Sequence, residues 1–143
     1  MNLAQLNIAR LRFPLDSPQL EDFVKALPEI NGLAERSPGF VWRLQDDSGD
    51  ATHIVNPFGE GVIINLTVWE SVEALRDFIY RTQHLEYMRR RREWFDHEGL
   101  PEYLVLWHVP DGHTPTIGEA ADRLEHLVKH GASEYAFTFR DRP

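Results

Sequence analysis

A chain of 143 residues with 42% apolar and 11% aromatic side chains is long enough to bury one core, and no apolar run approaches the ~20 residues that a bilayer-spanning helix requires. The absence of cysteine excludes disulfides, thiolate metal sites and a thiol nucleophile, while a formal charge of −8 opposes binding to nucleic acid, whose phosphates are met mainly by Lys and Arg. Met1 to Phe13 shows no basic leader followed by an apolar stretch and a small-residue cleavage site, so a cytoplasmic protein with no membrane partner is expected.

Leu3 to Phe13 reads as a strand stopped by Pro14. Ser17 then caps a helix with Pro18 at its first position, where the missing N–H has no intrahelical partner to lose. Leu20, Phe23, Val24 and Leu27 share one helical face, and Pro28 predicts a kink or a fresh helix through Leu33, with Gly39 marking the end. Phe40 to Gln45 is a second strand, with Phe40, Trp42 and Leu44 on one side. Asp46-Asp47-Ser48-Gly49-Asp50 reads as a solvated turn. Its acidic spacing resembles a calcium loop, but Pro57 falls where the bidentate glutamate belongs.

Gly61 to Trp69 carries the strongest strand signal, because Val62-Ile63-Ile64 runs into Leu66-Thr67-Val68. Ser71 caps the next helix, Glu73 favours its N-terminal dipole, and Val72, Leu75 and Ile79 form its buried stripe. A second helical stretch runs from Thr82 to Phe95, and Glu102 to Val109 is another strand, turned away by Pro110-Asp111-Gly112. Thr116-Ile117-Gly118-Glu119 is a capping box. It opens a helix with Ala120, Ala121, Leu124, Leu127 and Val128 on one side that ends at Gly131, before a short strand from Tyr135 to Phe139. The order βαββαβ with an αβ extension predicts an α+β fold, a ferredoxin-like split-βαβ half-barrel. One domain is expected over residues 1–143, with residues 1–109 as the core and 110–143 as the extension. Val62 to Val68 and Tyr103 to Val109 lack clean apolar and polar alternation, so both sheet faces need cover, and a second copy of the chain is the expected cover of the open one.

His84, beside Leu85 and Met88, is the first catalytic candidate, as a general base or as an axial ligand if haem is present. Arg89, Arg90, Arg91 and Arg92 spread around a helix circumference and cannot all serve one site. One or two could turn in beside Trp94 to clamp a carboxylate or phosphate, while a solvated face is the simpler role. Trp42, Trp69 and Trp107 fall on strands, either as core packing or as an aromatic pocket with polar contacts from Asn65, Asn7 or Arg43. His108 with His113, and His126 with His130, lack a third ligand, so no dedicated metal site is expected.

Leu66-Thr67-Val68-Trp69-Glu70-Ser71, entering a helix with Leu75 and Phe78, resembles the antibiotic-biosynthesis-monooxygenase-like superfamily of dimeric α+β barrels over residues 1–109. With His84-Leu85-Glu86-Tyr87-Met88 through Trp94-Phe95, Trp107-His108-Val109-Pro110 and Ala136-Phe137-Thr138-Phe139, nearly the whole chain is similar to an uncharacterised bacterial family of that fold, a domain of unknown function. The resemblance implies a homodimer and a small-molecule pocket between helices and sheet. The superfamily's members include cofactor-independent oxygenases, muconolactone-type isomerases, haem-degrading enzymes and proteins without known catalysis. On the haem-degrading pattern Asn7 and His84 can be placed, the tryptophan position falls on Phe78, and the spacing to His84 is shorter.

The expected function is therefore a small-molecule-binding protein, as a monooxygenase-like or isomerase-type enzyme without an obligatory cofactor. His84 and Asn7 are its catalytic candidates, and Trp42, Arg43, Asn65, Trp69, Phe78, Trp94 and Trp107 would bind a small hydrophobic or aromatic ligand. A non-catalytic homodimeric binding or scaffold protein is the alternative, and haem binding or degradation a further one.

Overall fold

The first strand becomes the middle of the sheet. A computed structural model of the chain describes residues 1–46, 49, 52, 54, 56–82, 84–96 and 103–140. In it β1 (Asn2–Leu11) lies between β3 (Val62–Trp69) and β5 (Leu104–Val109), antiparallel to both. Strand β2 (Phe40–Arg43) flanks β3, and a two-residue β4 (Phe95–Asp96) pairs with the end of β1. Such a strand is buried from both sides, which is why Leu3, Ala4, Gln5 and Leu6 are all buried in succession.

The two faces sort by parity along β1. Odd-numbered Leu3 joins Trp69 and Leu106, and this face is covered by α1 (Glu21–Arg36) and α2 (Val72–Arg81) through Leu33, Ala34, Val72, Leu75 and Phe78. Even-numbered Ala4, Leu6 and Ile8 join Ile64, Leu66, Val68, Val105 and Trp107, and this face is covered by α5 (Ile117–His130) through Ala120, Leu124 and Leu127. The cover expected from a second copy is thus supplied by the chain's own α5. Each buried leucine contributes roughly 1.5–3 kcal/mol, so displacing this helix would expose apolar surface on both partners of the contact.

Several local expectations change for identifiable reasons. Helix α1 continues through Pro28, because Pro28 sits on the exposed side and the carbonyl of exposed Val24, which it leaves unmatched, can meet water. Ser17 does not cap it. Its hydroxyl donates to the Pro14 carbonyl at 2.6 Å, and a single 3-10 turn, Pro18–Leu20, precedes the helix. A bulge between Phe40 and Trp42 puts Phe40 opposite Trp69 and Trp42 opposite Val68, so these two aromatics lie on different faces of the sheet. The expected helix from Thr82 to Phe95 breaks at Arg90 into α3 (His84–Arg89) and α4 (Arg91–Trp94). The buried stripe of α2 takes Phe78 with Val72 and Leu75, leaving Ile79 only partly covered. The last predicted strand reduces to one bridge, in which Leu106 and Phe137 exchange backbone hydrogen bonds of 2.8 and 2.9 Å.

Two other features fix the joints. Gly39 has φ +84° where α1 turns into β2, and a Cβ there would lie 2.5 Å from that of Ala74, so only glycine lets α2 pack this close. Thr116 Oγ1 accepts from Glu119 N at 3.0 Å as a capping box requires, but the Glu119 carboxylate turns inward to Trp107 instead of reaching back. Among the described residues no helix is long and apolar enough to cross a membrane. Most of the Asp46–Asp50 turn lies outside the described residues.

Candidate functional site

On the face under α1 and α2, the middle of the sheet carries a polar row where packing alone would favour apolar side chains. Trp69 Nε1 donates to Thr67 Oγ1 at 2.9 Å, Thr67 Oγ1 donates to Gln5 Oε1 at 3.2 Å, and Gln5 Nε2 donates to the Asn65 carbonyl at 3.1 Å and to Asn65 Oδ1 at 3.3 Å. Gln5 and Thr67 are each 5% exposed, so these bonds offset a desolvation that would otherwise cost about 1–3 kcal/mol per group. The row ends at exposed Asn65, whose cross-strand partner in the register is partly exposed Asn7.

At the other end of the row an aromatic column begins. The Phe40 ring meets Trp69 edge-on at 5.4 Å, Phe78 stacks on Trp69 at 5.2 Å and 28°, and His84 lies 4.9 Å from Phe78. Thr82 holds the start of α3: its hydroxyl donates to the Phe78 carbonyl and accepts from His84 N at 3.2 Å. Among the described residues His84 Nδ1 is buried without a hydrogen-bond partner. Burial lowers the pKa of this imidazole to about 4, against the opposing pull of the Ile79 carbonyl, so His84 is neutral at pH 7. A base titrating that low takes up a proton weakly at neutral pH, which fits a wall or an acceptor better than the general base expected from the sequence.

Asn7, Asn65, Trp69, Phe78 and His84 therefore gather on one side of the sheet. The other candidates do not converge with them. Trp42 and Trp107 belong to the opposite face, packed with Leu66 and Val68 in the core that α5 covers. Arg43 lies opposite Thr67, but its guanidinium is occupied by Glu35 Oε1 at 3.2 and 3.3 Å and by the Gly49 carbonyl at 2.7 Å. Trp94 is 2% exposed and packs against Phe23 at 5.5 Å beneath the Arg90 guanidinium at 4.8 Å. Within the arginine run, Arg90 pairs with Asp22 at 3.0 Å and Glu93 at 2.9 Å, Arg89 with Glu86 at 3.5 Å, and Arg91 donates to the Met88 carbonyl. Open concavities of about 430 and 380 Å³ lie elsewhere, beside Ile54–Val62 and beside Leu15–Lys25.

Gln5 and Thr67 escape the sequence reading, although a glutamine between Ala4 and Leu6 in an apolar strand is itself a signal of a buried polar contact. A second cluster also escapes it: Glu119 accepts from Trp107 Nε1 at 2.9 Å and meets His113 Nε2 at 2.7 Å. Burial raises the Glu119 pKa, but the hydrogen bonds from His113 and Trp107 outweigh it, leaving the carboxyl below its usual range. Among the described residues no group of three or more His, Asp or Glu side chains is arranged to hold a metal.

Over residues 2–143 the sequence matches the family described as a domain of unknown function, DUF3291. No curated protein matches it. Among solved structures it is similar to SnoaB, a cofactor-independent oxygenase from Streptomyces nogalater, at 14% identity and a TM-score of 0.51 over 80% of this chain and 98% of that one. It is also similar to a Nitrosomonas europaea protein provisionally named an antibiotic biosynthesis monooxygenase, at 11% identity and a TM-score of 0.54 over 79% and 94% of the two chains. NE2512, a protein of unknown function from Nitrosomonas europaea, matches at 16% identity and a TM-score of 0.50 over 80% and 95%. At such identities the likeness shows the fold, the α+β architecture of the antibiotic-biosynthesis-monooxygenase-like proteins.

Proposed function

We propose, on the premise that the chain belongs to the DUF3291 family, that it binds a small aromatic or hydrophobic molecule where Asn7 and Asn65 face each other, and transforms it by monooxygenase-like or isomerase-type chemistry without an obligatory cofactor. The observation that carries this reading is the pair of cross-strand carboxamides at the open end of an otherwise buried, hydrogen-bonded row, whose far end is Trp69 with Phe78 stacked on it. A few placed polar groups on an apolar wall are what a small-molecule site requires. The oxygenase fold of SnoaB supports the chemical class.

In this reading Asn7 and Asn65 orient the substrate's polar group, and the buried row behind them is anchored at its far end by Trp69 and Phe78, with neutral His84 packed on Phe78. A haem ligand must offer a ring nitrogen to open space, and His84 Nδ1 is not placed to do so, being enclosed while the ring packs on Phe78. The protein acts as a single cytoplasmic domain whose residues 110–143 brace the core of residues 1–109. It pairs with a second copy through a surface other than the face α5 covers.

A non-catalytic binding protein is the second reading, favoured by the low basicity of His84 and by the engagement of Arg43 and Trp94 inside the fold. Native mass spectrometry of the purified protein, with Asn65→Leu alongside, tests the site. A dimer retaining a small molecule that Asn65→Leu has lost is expected. Equal retention by both removes the site assignment. A protein that binds naphthols but neither consumes oxygen with them nor isomerises them transfers support to the second reading, and one that binds none of them counts against both.

A further inference from the structure

We infer that Gln5 and Thr67 are positioning residues that lock the Asn65 carboxamide with its N–H pair turned outward, so that the site selects a ligand presenting an acceptor oxygen, such as a carbonyl or phenolate. The inference rests on the proposed reading of that site.

The polarity of the row is set by groups with no choice of role. An indole N–H can only donate, so Thr67 Oγ1 must accept from Trp69 Nε1 at 2.9 Å and send its own proton elsewhere, to Gln5 Oε1 at 3.2 Å. At the far end a backbone carbonyl can only accept, so the Gln5 atom 3.1 Å from the Asn65 carbonyl must be Nε2. Turning the Gln5 amide over would set Oε1 against that carbonyl, two acceptors face to face, and leave Thr67 accepting twice with its own proton unplaced in the row. The Asn65 carbonyl therefore enforces one orientation of Gln5, and the Thr67 hydroxyl completes it by donating to Oε1.

That orientation decides the next amide. Gln5 Nε2 is a donor, so the Asn65 atom 3.3 Å from it must be Oδ1, and Nδ2 then faces away from the row. Among the described residues no acceptor meets Asn65 Nδ2, and the Asn7 side chain opposite forms no hydrogen bond either. Thr67 and Gln5 are buried while Asn65 is exposed, so the row transmits a fixed direction from the core to the surface. An outward pair of N–H donors on an ordered carboxamide meets an acceptor oxygen with little ordering left to do. A ligand that offers a donor at the same point finds no acceptor on Asn65.

The side-chain amide of Asn65 in ¹⁵N-labelled, ligand-free protein reads the positioning directly. An order parameter near that of rigid backbone, about 0.85, is expected, falling below about 0.6 in Thr67→Val and kept in Thr67→Ser, which restores the hydroxyl alone. Gln5→Leu should loosen Asn65 likewise, and the Thr67 pair decides the matter if that variant does not fold. A mobile Asn65 amide in the unaltered protein, or equal rigidity in Thr67→Val, overturns the positioning role. The probes are 1-acetonaphthone, which carries only an acceptor, and naphthalene. The ketone should bind about tenfold tighter, the worth of one hydrogen bond, and lose that margin in Thr67→Val. Equal binding overturns the selection for acceptors, and binding of neither overturns that selection together with the site. The order parameter, read without ligand, still decides the positioning.

Discussion

Replacing His84 by phenylalanine should remove a large part of the protein's sensitivity to mild acid. The imidazole titrates at about 4 in the fold against an ordinary value of 6.5, because burial disfavours its cation. Between these values the unfolded chain takes up a proton that the folded chain refuses. The contribution of this group is therefore fully present above pH 6.5 and is lost as pH falls toward 4, below which no more is lost. The whole shift corresponds to about 3 kcal/mol and, by pH 5, to about 2 kcal/mol, taking 1.36 kcal/mol per pKa unit. Phenylalanine keeps a ring of similar size against Phe78 and has no proton to take. Urea unfolding at pH 7 and pH 5 gives the loss for each protein, and carboxylates common to both cancel in the difference. The unaltered protein should lose about 2 kcal/mol more than His84→Phe. Equal losses would show that His84 titrates near its ordinary value and is open to water.

Leu124→Ala, beneath α5, should destabilise the protein by about 2–5 kcal/mol in urea unfolding, since Leu124 fills the core between that helix and the sheet; a loss under about 1 kcal/mol would mean that α5 is loosely docked. Gly39→Ala should cost at least about 1–2 kcal/mol, because it combines a left-handed φ with a Cβ contact of 2.5 Å to Ala74; adding Ala74→Gly should recover only the contact's share, and full recovery would show that the backbone carries no strain. Trp107→Phe should cost at least about 1–3 kcal/mol, because Glu119 loses a hydrogen bond on a partly buried carboxylate; thermal unfolding of Trp107→Phe, Glu119→Gln and the double variant should reveal non-additivity, and additive losses would show that the bond contributes nothing.

Much of the fold is legible in the sequence because strand and helix patterns are local. Val62 to Val68 announces a doubly covered strand, Ser71 and Thr116 cap their helices as expected, Gly131 ends α5, and Gly39 turns the chain into β2 three residues after α1 stops at Arg36. What covers the second face is not local. The stripe on α5 shows that it must dock, but nothing in its spacing says whether it docks on its own sheet or leaves that to another chain. The bulge at Val41 is equally silent, and it moves Trp42 to the face opposite Phe40, where Trp107 already lies, leaving Trp69 apart on the other face. For the candidate site, Asn65 and Trp69 share a face by strand alternation alone, whereas Asn7 and Phe78 enter through the family resemblance. The Gln5–Thr67 link was not legible, since residues sixty-two positions apart become neighbours only through register.

Because β1 sits in the middle, Leu6 has Leu66 on one side and Val105 on the other, and α5 closes over that strand later still. The first strand made is thus the last to be fully enclosed. Contacts of such long sequence separation slow folding, and until residues around Leu124 and Leu127 leave the ribosome an apolar sheet face stands open. The growing chain passes through a stage in which its own half-built sheet is its most adhesive surface. Substitutions that weaken α5 should therefore lower soluble yield in cells more steeply than they lower the equilibrium stability of the finished protein.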